Sequence, residues 1–138
     1  GKLGVLEGEF NYPVDISIDR EGMVYVVDSM NFRVQIFNKD GRFNHSFGSH
    51  GDGTGDFGRP KGISIDRDGH IYVADAYFDT VQIFDRQGNF LLNFGSLGRS
   101  AGKFWLPSGL FVDDGNKIYV GDSYNSRVQG FEYLGEGS

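Results

Sequence analysis

The stretch "VVDSMNFRVQIF", residues 26–37, sets two apolar runs around a polar knot built on Asp28, Asn31 and Arg33. Its counterparts elsewhere in the chain decide how it is read. "VADAYFDTVQIF" occupies residues 73–84 and "VGDSYNSRVQGF" residues 120–131, so the passage recurs every 47 residues. Prolines 13, 60 and 107 keep the same interval, as do Asp19, Asp66 and Asp113, and Tyr25, Tyr72 and Tyr119. Aligning residues 8–48 with 55–95 matches 20 of 41 positions without a gap. Identity at that level over a fixed period marks a repeat architecture, whose unit must be understood before any single residue. The repeats run 8–48, 55–95 and 102–138, within a single domain spanning residues 1–138.

Each repeat reads as four strands. In the second, residues 61–66, 70–75, 80–85 and 89–95 are short β-branched and aromatic runs, separated by "RDG", the knot and "RQG". Such runs divided by Asp-Gly and Gly signals are hairpins, and no window has the period of a long amphipathic helix. Four antiparallel strands per 47-residue unit predict an all-β propeller blade. Nearly continuous apolar middle strands predict sheets covered on both faces by neighbouring blades.

Composition narrows the chemistry. The chain has 138 residues, no cysteine and a net charge of −6. Disulfides and thiolate metal sites are excluded. The acidic balance disfavours nucleic acid, whose phosphates need a basic surface. No apolar run is long enough to span a bilayer. Compartment is left open by the missing cysteines, with an extracellular or periplasmic setting the expectation. The three histidines, His45, His50 and His70, fall at different phases of the repeat and are not expected to share a zinc. No Gly-x-Ser-x-Gly elbow and no Gly-x-x-x-x-Gly-Lys loop is present.

The run Asp-x-x-Asn-x-Arg-Val-Gln, at Asp28, Asn31, Arg33, Val34, Gln35 and again at Asp122, Asn125, Arg127, Val128, Gln129, resembles the hallmark of the NHL repeat. That resemblance covers nearly the whole chain and implies the blade of a six-bladed propeller. Three blades make half of such a ring. The remainder would come from the rest of a longer chain or from a second copy in a homodimer. The third blade is expected to lack its outer strand, which would begin near residue 137. Some similar six-bladed proteins are metal-dependent lyases or lactonases with axial ligands, and some tripartite-motif NHL proteins bind RNA. Here Asp15 aligns with Gly62 and Gly109, so the axis is not consistently acidic in these three blades. A metal-dependent enzyme would have to be completed by other blades.

A knot present in every repeat reads as structure. Asp28, Asn31, Arg33, Asp75, Asp122, Asn125 and Arg127 are expected to form turns closed by side-chain bonds to nearby backbone. What varies between copies is free for recognition. Met30, Tyr77 and Tyr124 share one position, where a large side chain either packs on the next blade or meets a partner, and Asn31 and Arg33 become Phe78 and Thr80 in the second copy. In an up-and-down blade the knots share a rim with the long crossings, residues 48–60 and 95–107. Long loops on a rigid scaffold are where binding resides. The expected binding residues are Trp105, Tyr77, Phe78, Asp79, Tyr124, Met30, His50 and Arg59. Trp105, aligned with Asn11 and Gly58, could instead cap the core. The function expected is a non-enzymatic scaffold for a protein partner or extracellular polymer, with no catalytic residues, no metal and no cofactor.

Overall fold

The computed structural model describes residues 2–96 and 98–133. Its eleven strands form three antiparallel sheets in chain order. The first sheet is β1 (Pro13–Ile18), β2 (Val24–Asp28), β3 (Arg33–Phe37) and β4 (Phe43–Phe47). The second is β5 (Pro60–Ile65), β6 (Ile71–Asp75), β7 (Thr80–Phe84) and β8 (Phe90–Phe94). The third is β9 (Pro107–Val112), β10 (Lys117–Asp122) and β11 (Arg127–Glu132). The third sheet has three strands among the described residues, and the position near residue 137 where a missing outer strand would begin lies outside them. Among the described residues no helix is long and apolar enough to cross a membrane.

Every sheet opens on a proline, where a missing N–H costs no ladder bond. The inner strands β1, β5 and β9 lie side by side, so the sheets are arrayed as blades. Two side-chain bonds join the inner strands: Ile63 N donates to Asp15 Oδ2 at 3.0 Å, and Val112 N to Ser64 Oγ at 3.1 Å.

Pleat alternation sends one face of each blade into each interface. Tyr25, Val27, Val34 and Ile36 meet Ile63, Ile71, Val73 and Phe84 between the first two blades. Tyr72, Ala74, Val81 and Ile83 meet Val112, Ile118 and Val120 between the second and third. A phenylalanine triad staples each interface. Phe47, Phe57 and Phe84 have centroids 4.7–6.4 Å apart, and Phe94, Phe104 and Phe131 repeat the arrangement at 4.7–6.1 Å. Burial of the middle strands on both faces holds for β6 and β7 throughout. It does not hold for β11, which alternates with exposed positions. The reason is positional: the middle blade has a neighbour on each side, and the third has one among the described residues.

Candidate functional site

Each knot is organised by one fully buried aspartate. Asp28 Oδ1 accepts from Asn11 N at 2.7 Å, and its Oδ2 from Asn31 Nδ2 at 2.9 Å and Arg33 Nε at 3.0 Å. Asp122 repeats the pattern with Trp105 N, Asn125 Nδ2 and Arg127 Nε at 2.7, 2.9 and 2.8 Å. Burial pushes the Asp122 carboxyl up, but these donors and the Arg127 charge outweigh it and hold it below its ordinary value. Asp75 has neither an arginine nor an asparagine beside it. It accepts instead from the backbone N–H groups of Gly58, Arg59 and Tyr77 at 2.8–3.0 Å, with Phe78 N at 3.4 Å. The glutamine two residues after each arginine position, at 35, 82 and 129, ties the crossing loop down: its amide accepts from Gly8, Gly55 or Gly102 and donates to Glu9, Asp56 or Lys103.

The knots and crossings share a rim. Ser29 Oγ donates to Pro60 O at 2.9 Å, and Leu106 N to Asp79 Oδ1 at 2.8 Å, each reaching from one blade's knot to the next blade's entry. Asp79 is thereby engaged in holding the third blade's crossing, and its φ of 55° places it at the left-handed end of the knot.

Four of the expected binding residues come together on this rim. His50, Arg59, Tyr77 and Phe78 line one open cavity of about 560 Å³ with Phe32 and Asp52. Tyr77 is 69% exposed and its ring meets that of Phe78 edge-on at 5.0 Å. Trp105 and Tyr124 form a separate pair, stacked at 4.3 Å, with the Arg99 guanidinium 5.6 Å from the indole centroid. Trp105 is half-buried, while Phe104 beside it is fully buried in the interface. Met30 stands exposed on the first knot, apart from both groups.

Two contributors escaped the sequence reading. Phe32 stacks on His50 at 4.1 Å; its one signal is that it aligns with Asp79 and Ser126, where the repeat asks for no aromatic. Gly58 leaves the cavity its depth, because a Cβ there would stand 2.8 Å from Tyr77 Cβ and 2.9 Å from Phe78 Cε2. Its signal was the contrast with Asn11 and Trp105.

The opposite rim carries the turns after the first and third strands of each blade. Asp66, Asp68 and His70 cluster there closely enough to hold a metal ion. Asp66 is already spent on the turn, accepting from Asp68 N, His70 N and the Tyr72 hydroxyl, all at 2.8–2.9 Å. Asp19 serves its own turn in the same way. On the axis, the Asp15 carboxylate is engaged by Ile63 N.

The radial sheets and the repeated knot define a β-propeller with NHL-type blades. Residues 7–77 match the DUF5128 six-bladed β-propeller and residues 104–131 the NHL repeat. The chain belongs to the six-bladed β-propeller family. It is 41% identical over 51 residues to the protein brain tumor of Drosophila melanogaster, a match covering 37% of this chain and 5% of that protein. The chain thus spans a small fraction of the length of the curated relatives it matches. Its fold is similar to an auxiliary nutrient binding protein of Bacteroides thetaiotaomicron, with a TM-score of 0.64 at 16% identity over 83% of this chain and 36% of that one. It is likewise similar to a gluconolactonase of Xanthomonas campestris, with a TM-score of 0.59 at 19% identity over 83% of this chain and 36% of the other.

Proposed function

We propose that this chain is a non-enzymatic binding module that meets a protein partner through the rim of knots and crossings. The three repeats act together as one domain and as half of a six-bladed ring. The supporting observation is the cavity lined by His50, Arg59, Tyr77 and Phe78, an aromatic hollow with charged edges on a rigid support. Aromatic side chains bordered by charge are what protein interfaces use as anchors. The knots beneath the cavity are internally bonded, so the rim is ordered before a partner arrives and little ordering entropy is lost on binding.

Tyr77→Ala combined with His50→Ala should weaken a captured partner protein at least tenfold by calorimetric titration. Gln87→Ala, on the opposite rim, should leave affinity unchanged. Both substituted side chains near the cavity are exposed, so thermal unfolding should move little. Equal affinities for the two variants would remove the site from this rim. Retention of RNA by the unmodified chain at physiological salt would replace the protein partner with a nucleic acid.

A further inference from the structure

The arginine of the knot does the same work in the first and third blades. Arg33 donates from Nη1 to Val5 O at 2.8 Å, and from Nη2 to Leu6 O at 3.1 Å and Glu9 O at 2.8 Å. Arg127 donates from Nη2 to Ser100 O and Lys103 O, both at 2.9 Å. In both places a guanidinium fills the hollow between the knot and the crossing loop.

The middle blade builds the same hollow without the arginine. Its loop has the backbone bonds of the other two: Asp56 N to Gly53 O at 3.1 Å and Phe57 N to Ser49 O at 2.8 Å, against Glu9 N to Leu6 O at 3.0 Å and Phe10 N to Lys2 O at 2.7 Å. Gln82 ties the loop down as Gln35 and Gln129 do. Thr80 stands where the arginines stand, and its hydroxyl turns away to Phe94 O at 2.8 Å. Asp75 takes its bonds from backbone N–H groups, so the knot is satisfied with no guanidinium present. What is left is a cavity of about 260 Å³, bordered by Asp52, Gly53, Asp56, Phe78, Thr80 and Gln82. Two of its lining residues are carboxylates and none is lysine or arginine.

We propose that this cavity receives a guanidinium supplied by the partner, an arginine side chain taking the place that Arg33 and Arg127 hold in the neighbouring blades. The carbonyl oxygens of Gly53 and Asp56 correspond to those of Leu6 and Glu9, which accept from Arg33. A planar fork of N–H donors matches such an acceptor pair better than an ammonium does. Phe78 borders the cavity, where a cation can rest against an aromatic ring; Asp52 supplies the opposite charge, and Asp56, whose carboxylate is held by Ser49 Oγ and Gly53 N, adds to the negative field. Asp52 and Phe78 border both this cavity and the larger one on the rim, so an arginine seated here would belong to a segment lying across Tyr77 and His50. The inference rests on the rim being the partner-binding face.

The test titrates the full chain with capped arginine, capped lysine, capped citrulline and free arginine, followed by amide chemical shifts. Capped arginine should shift the amides of Thr54, Phe78 and Thr80 saturably, with lysine and citrulline at least tenfold weaker. Free arginine should bind more weakly than the capped form, since its own carboxylate meets an acidic rim; tighter binding would overturn the assignment to a protein partner. Thr80→Arg refills the hollow from within and should abolish the shifts while melting no lower than the parent chain. Asp52→Asn, a surface change that leaves the fold in place, should weaken capped arginine several-fold. Unchanged arginine binding in both variants, or no preference over lysine, would overturn the proposal. Absence of arginine binding with the Tyr77 and His50 effect intact would sink this inference alone, while arginine binding without that effect would sink the rim reading and with it the partner as the source of the guanidinium.

Discussion

A single aspartate per turn carries much of the local order. Asp19, Asp66 and Asp113 each close the turn after the first strand by accepting backbone N–H bonds, and each also accepts the hydroxyl of a tyrosine six residues on, at 2.8, 2.8 and 3.4 Å. Burial first, and then the bond to aspartate, raises the Tyr25 and Tyr72 hydroxyls above their ordinary value. At the knot, Asp122 gives a sharper test. Its folded value lies below the ordinary 3.8, so its contribution to stability is complete above 3.8 and is lost as pH falls through the lower folded value. Urea unfolding between about pH 5 and pH 2 should therefore show the parent chain losing stability that Asp122→Asn lacks at every pH. Asp122→Ala, which removes the acceptor shared by Trp105 N, Asn125 and Arg127 but leaves Arg127 its carbonyl partners, should cost about 1–3 kcal/mol near neutral pH. A cost under about 1 kcal/mol would mean the carboxylate is not the keystone of its knot.

At the level of strands, position in the array sets the value of a side chain more than its type does. Ile83 on β7 is 1% exposed between two blades, and Val128 on β11 is 68% exposed on the far face of the third. Ile83→Ala should cost about 2–5 kcal/mol. Val128→Ala should change the stability of the monomer by no more than about 0.5 kcal/mol. Thermal or denaturant unfolding of the two variants measures this directly, and equal costs would contradict the layered packing. The strands themselves were legible from β-branched runs and Gly-punctuated turns. The short 3₁₀ turn at Ser29–Asn31 was not, because three residues carry no period to read. The exposure of β11 was not legible either. Its sequence "RVQGF" differs little from "TVQIF" on β7, and the difference between them is which neighbours they have.

For the molecule as a whole, the two outermost sheet faces carry exposed apolar side chains among the described residues. Ile16 and Ile18 on the first blade, and Phe111 and Val128 on the third, are apolar and 59–68% exposed. The aromatic staple tells the same story. Phe10 and Phe37 pair at 5.9 Å as Phe57 and Phe84 do, but the first blade has no preceding blade among the described residues to supply the counterpart of Phe47. Apolar faces of this kind drive association. The isolated chain at micromolar concentration should sediment at twice its 15.3 kDa or above, and Phe111→Asp with Val128→Asp should return it to the monomer. A monomeric parent chain would show that these faces are tolerated in water.

The amino-acid sequence alone determined the repeat, the strand count within it and the blade as its product, because a period of 47 residues and a two-residue pleat are both written along the chain. It also separated the shared knot from the residues that vary. Tertiary structure decided which of those varying residues meet. His50, Arg59, Tyr77 and Phe78 converge on one cavity while Trp105 and Tyr124 pair apart from it, and Asp79 is drawn into holding the next crossing. It also turned the replacement of an arginine by Thr80 into an open hollow. Convergence of this sort depends on the angle between blades and the path of the loops across them, and neither distance is encoded in any local run of residues.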